Sequence, residues 1–89
     1  MPETPSAEFE TANQFLTAYL MAKDIRYLRY ERYQEYGGRW RTRFFFESTA
    51  RLGHECDSYE KRSATVNAQD FVDCLYNVKQ ILRKNRDVQ

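Results

Sequence analysis

The sequence predicts an α+β fold of two layers, a small antiparallel β-hairpin sheet packed against two to three helices. Three observations point there. Eight of the 14 aromatic residues lie between Tyr27 and Phe46, on either side of Gly37-Gly38, and Tyr, Phe and Trp favour strands while paired glycines favour the turn between them. Apolar residues recur at helical spacing before and after that stretch. The chain has 89 residues, enough for one compact core.

Residues 1–9 read as a flexible tail, with two prolines and no apolar period; Phe9 is the one anchor in it that could dock. Residues 10–86 then form a single domain, and 87–89 a C-terminal tail. The first helix is expected to start at Thr11, because Thr11-Ala12-Asn13-Gln14 fits a capping box. Ala12, Phe15, Leu16, Tyr19 and Leu20 give it one apolar stripe, and it ends near Lys23-Asp24.

Residues 25–47 form the hairpin. A two-residue Gly-Gly turn would set Arg32 against Arg43 and place Phe44 on the face opposite Leu28 and Tyr30. A three-residue loop, Tyr36-Gly37-Gly38, removes both conflicts, with Gly38 in the left-handed position of a bulged turn. Glu35 then faces Arg39, Glu31 faces Arg43, Tyr30 faces Phe44 and Leu28 faces Phe46. Such cross-strand pairs contribute a few tenths to about 1 kcal/mol each. The inner face becomes Leu28, Tyr30, Thr42, Phe44 and Phe46, with Trp40 near the tip. The outer face carries Tyr27, Arg29, Glu31, Tyr33, Arg39, Arg41, Arg43 and Phe45.

Residues 49–62 read as a weaker helix on Leu52, Cys56 and Tyr59, interrupted by Gly53. Ser63–Val66 is extended and supplies a short third strand. The last helix is capped by Asn67, with Asp70 in its first turn. Phe71, Leu75, Val78 and Leu82 form its stripe, and Arg83-Lys84-Asn85-Arg86 suits a helix C-terminus. The core is expected to join Phe15, Leu16, Tyr19, Leu20, Leu28, Phe44, Phe46, Phe71, Leu75 and Val78.

Ala18-Tyr19-Leu20-Met21-Ala22-Lys23-Asp24-Ile25, the Gly-Gly hairpin closing on Phe44-Phe45-Phe46-Glu47, and Val66-Asn67-Ala68-Gln69-Asp70-Phe71 together resemble a family of small uncharacterised domains from bacteria and their phages. The resemblance covers roughly residues 11 to 82. Members more often carry Gly at the position of Asp24 and Pro near Ala68. The resemblance implies the order helix, hairpin, helices, and implies no activity.

The net charge of +1 argues against a histone-like polyanion binder, which carries a clear cationic excess. No apolar run reaches bilayer length, and the polar, acidic start is unlike a signal peptide. Two cysteines are too few for a disulfide scaffold. The expected setting is cytoplasmic, with Cys56 and Cys74 reduced and acting as small hydrophobes. His54 is the only histidine and is expected in solvent. No catalytic residues, cofactor, metal site or small-molecule substrate is read from the residues, because no nucleophile–base pair, ligand spacing or phosphate loop is evident.

The conspicuous feature is the hairpin. Arg26 to Arg43 holds six arginines against two glutamates, a local charge of +4. Glu31 and Glu35 neutralise two of them, which leaves Arg29 and Arg41 as the freest, flanked by Tyr27, Tyr33 and Phe45. Tyr, Phe and Arg are enriched at binding hot spots, and a short sheet exposes edges that invite strand addition. The chain is therefore expected to be a non-enzymatic binding module. Its partner is another protein or a second copy of itself, as a homodimer, met through Tyr27, Arg29, Tyr33, Arg41 and Phe45. The alternative is weak binding of single-stranded nucleic acid by the same face, with bases on aromatics and guanidinium on phosphate.

Overall fold

The computed structural model describes residues 7–87, with side chains through position 84. Its elements run β1 (Glu8–Thr11), α1 (Gln14–Ala22), β2 (Arg29–Gln34), β3 (Trp40–Glu47), α2 (Ala50–Glu60) and α3 (Ala68–Asp87). The three strands form one antiparallel sheet in the order β1-β3-β2. This is the α+β class predicted from the sequence.

The third strand comes from an unexpected place. Glu8 and Phe9, assigned above to the tail, pair with Glu47 and Phe46, while Ser63–Val66 is not in the sheet. Glu8-Phe9-Glu10-Thr11 alternates exposed and half-buried positions, so Phe9 reaches the core and packs on Phe46, with ring centroids 6.4 Å apart. Residues 1–6 and 88–89 of the expected tails lie outside the described residues.

Because Thr11 belongs to β1, it does not cap α1. Asn13 does, its Oδ1 accepting from the N–H of Phe15 and Leu16 at 2.9 and 3.1 Å, while Thr11 Oγ1 accepts from Asn13 N–H. The helix is buried over the continuous run Leu16–Leu20 rather than along one stripe. It packs against α3, with α2 and β1 also in contact, and a helix enclosed on several sides need not be amphipathic. Thr17 satisfies its buried hydroxyl by donating to Asn13 O at 2.9 Å.

The hairpin has the predicted register. Glu31 lies opposite Arg43 and Tyr30 opposite Phe44. Glu35 N–H donates to Arg39 O at 2.7 Å, closing the three-residue loop, and Gly38 N–H donates to Glu35 O at 2.8 Å. Gly37 and Gly38 both have positive φ, 100° and 91°. The loop thus needs two residues without a Cβ, not Gly38 alone.

The faces hold only where the ladder holds. Leu28 N–H donates to Phe45 O at 2.6 Å, although Phe45 is the partner of Arg29. Two residues thus share one partner, as at a bulge, and alternation fails below position 29. Tyr27, expected on the outer face, packs edge-on against Phe44, with centroids 5.4 Å apart. Leu28, expected in the core, is 52% exposed.

Leu16, Ala18, Tyr19, Leu20, Phe44, Phe46, Leu52 and Val78 form the buried core, with Phe71 and Leu75 packed on it. Phe15, also expected there, is 45% exposed under Lys79, whose Nζ lies 5.8 Å from the ring centroid.

Helices α1 and α2 end alike. Ile25 N–H donates to Leu20 O and Asp24 N–H to Met21 O; Ser63 N–H donates to Ser58 O and Arg62 N–H to Tyr59 O. These are the paired bonds of a Schellman motif, whose key residue is left-handed. Asp24 has φ 66° and Arg62 φ 61°. Asp24→Gly is expected to raise stability by about 0.5–1 kcal/mol, because glycine adopts this conformation without steric cost. The urea midpoint measures it, and an unchanged or lower midpoint would count against the assignment.

Candidate functional site: a cationic groove at the hairpin tip

On the outer face of the sheet, β1 brings Glu8 and Glu10 alongside the arginines of the hairpin. Arg29 spans β3. Its Nη1 and Nη2 donate to Glu8 at 3.1 and 3.0 Å, its Nε donates to Glu31 at 2.9 Å, and its guanidinium lies 4.1 Å from the Phe45 ring centroid. Arg43 donates to Glu10 at 2.9 Å and covers Tyr33, 3.9 Å from its centroid. Arg41 donates to Glu35 at 3.1 Å. Hydrogen bonding from Arg29 holds the Glu8 carboxyl below its ordinary pKa.

This arrangement changes the expected patch. Arg29 and Arg41 are not the free cations, since both are ion-paired. Glu31 pairs with Arg29 rather than with the opposing Arg43, and Glu35 with Arg41 rather than Arg39. Phe45 is 9% exposed beneath Arg29, Tyr33 is half-buried, and Tyr27 lies with the core. The face carries cations over rings, closed by carboxylates, and so satisfies its own charge.

The tip of the hairpin differs. β1 covers only Phe44–Glu47 of β3 and then turns away into α1. The later turns of α3 pass beyond that turning point, leaving a cavity of about 610 Å³ between the hairpin tip, the start of α1 and α3. Arg32, Arg39, Arg41, Lys79 and Arg83 line it beside Trp40. Among the described residues, no lining side chain is acidic, and Arg39, Lys79 and Arg83 form no ion pair. The Arg32 guanidinium stacks on the Trp40 ring, 4.6 Å from its centroid. Gln14 adds a neutral polar group at the wall.

Of the predicted site residues, only Arg41 reaches this groove. Arg39 and Trp40 belong to the hairpin but are not among the predicted site residues; Arg83 falls in the basic run read as a helix C-terminus, and Lys79 is not singled out by the sequence. The one signal available was their spacing, four apart on α3, which puts both cations on one side of the helix.

Elsewhere His54 is exposed, and Cys56 and Cys74 are half-buried against the core. Burial, reinforced by nearby carboxylates, pushes both thiols up. Among the described residues, no three His, Cys, Asp or Glu side chains gather as a metal-ligand set, and no helix is long and apolar enough to cross a membrane. No family model, curated protein or solved structure matches the chain.

Proposed function

We propose that the protein is a binding module rather than an enzyme, and that it holds a single-stranded nucleic acid in the groove at the hairpin tip. The observation that carries this reading is the sign of the lining: among the described residues it holds five cations and no carboxylate, and three of those cations, Arg39, Lys79 and Arg83, form no ion pair, whereas Arg29, Arg41 and Arg43 each do. Phosphate contacts supply most of non-specific nucleic-acid affinity, and an exposed aromatic among cations is the usual equipment for unpaired bases. The size favours a single strand, because cavities of roughly 300–1,000 Å³ hold a ligand about as large as a nucleotide and a duplex is far wider. Burial pushes both thiols up, which speaks against a cysteine nucleophile, since an activated cysteine has a lowered pKa. The protein partner expected at the outer face has less support, because its rings lie under guanidinium groups.

Binding of a labelled oligo(dT) of about ten nucleotides, followed by fluorescence anisotropy, tests this. Three phosphate contacts, from Arg39, Lys79 and Arg83, predict an affinity loss of roughly 20-fold between about 50 and about 200 mM salt, at a slope near 0.7 per contact. Arg39→Ala/Arg83→Ala should lower that slope by about 1.4, while Lys61→Ala, at the C-cap of α2, should leave it alone. Binding that responds to Arg29→Ala and not to the groove pair would place the site on the outer face. No binding at low salt would remove the nucleic-acid reading.

A further inference from the structure

We infer that Trp40 is the base-stacking platform of this groove, so that the site recognises an exposed base as well as phosphate. The inference rests on the nucleic-acid reading above and adds a residue and a contact to it. Trp40 is the first residue of β3, opposite Gln34, where the sheet is only two strands wide. It is the chain's single tryptophan. Its ring is not a member of the buried hydrophobic core, and it is 47% exposed. Core packing therefore does not explain so large a ring at this position.

The setting explains it better. Arg32 stands on the neighbouring strand, two residues before Gln34, on the same face as Trp40. Its guanidinium lies over the ring, and both side chains line the groove. A base entering there would complete a three-layer stack of guanidinium, indole and base. Its phosphates would meet Arg39, Lys79 and Arg83, and base–aromatic stacking tolerates any base because every base has a π-face. An anion without a base would meet the same cations and leave the indole uncovered. The ligand class is therefore a single strand with unpaired bases, and a bare polyphosphate should bind more weakly.

The single tryptophan makes the test direct. Oligo(dT) and an abasic oligomer of the same length are titrated into the protein. Labelled-strand anisotropy reports binding, and tryptophan emission reports stacking. Oligo(dT) should quench the emission and bind roughly tenfold more tightly than the abasic strand, as expected for one stacked base. Trp40→Ala should remove that advantage and leave abasic binding unchanged, whereas Trp40→Tyr should keep part of it. If oligo(dT) and the abasic strand bind equally and emission does not change, the stacking inference is overturned and the electrostatic reading stands. If neither strand binds, both fall. The wild-type comparison of the two strands decides the matter even if Trp40→Ala folds poorly.

Discussion

Phe44→Ala should lower the free energy of unfolding by about 3–5 kcal/mol, the range for removing a buried aromatic ring. Phe44 sits on the middle strand of the sheet and is 1% exposed. Thr11 of β1 and Tyr30 of β2 are its Cα partners on either side. Its ring meets Tyr27 edge-on at 5.4 Å and Tyr30 at 5.7 Å. Phe44 also belongs to one core cluster with Tyr19 and Leu20 of α1, Leu52 of α2 and Val78 of α3, so the surroundings cannot collapse into the gap without disturbing the sheet. Phe44→Leu should cost less, because most of the volume is kept. Urea unfolding measures both, and equal midpoints for Phe44→Ala and wild type would show that the core is not centred here. The midpoint should shift at an unchanged slope, since the slope follows the surface exposed on unfolding.

The parts legible in the sequence were those where two constraints agreed. The hairpin register could be fixed because charge pairing and the position of Phe44 both required the three-residue loop. The strand Glu8–Thr11 was missed because it is short and because Thr11 also fits a capping box. Its two-residue alternation around Phe9 was the signal available. That omission explains part of the misjudged patch. Counting only Glu31 and Glu35 against the hairpin arginines left Arg29 and Arg41 apparently unpaired. The sheet adds Glu8 and Glu10 from a segment 21 to 33 residues away, and these pair with Arg29 and Arg43; Arg41 is instead paired by Glu35 of its own hairpin. The groove was hidden for the same kind of reason. It joins the tip of a hairpin to residues 79 and 83 of the last helix, and no spacing along the chain records that meeting. Leu28 illustrates a smaller failure, because period-2 reasoning cannot see where a bulge ends it.

The second large effect concerns Tyr19 and alkaline pH. Tyr19 is 2% exposed, and its hydroxyl donates to Glu55 Oε1 at 2.5 Å, joining α1 to α2. Burial, the bond to Glu55 and the neighbouring negative charge push its pKa up to about 12. In the unfolded chain the phenol titrates near 10. Below about pH 10 both states hold the proton, and the Tyr19–Glu55 bond contributes in full, on the order of 1.5–3 kcal/mol for a bond to a charged group. Between about 10 and 12 the unfolded chain releases a proton that the folded chain keeps, so stability falls as pH rises. The slope approaches about 1.4 kcal/mol per pH unit. Tyr19→Phe keeps the ring, which packs on Tyr59 with centroids 5.7 Å apart, and removes only the ionisable group. It should be less stable than wild type at neutral pH, and the gap should close as pH rises past about 10. Every other group is common to the two proteins and cancels in the difference. Glu55→Gln should reduce the wild-type slope by removing the charge that helps to hold the proton. Urea midpoints of the three proteins from about pH 8 to about pH 11.5 test this. A gap between wild type and Tyr19→Phe that stays constant over that range would mean that the phenol ionises alike in both states, and that the α1–α2 contact does not depend on its proton.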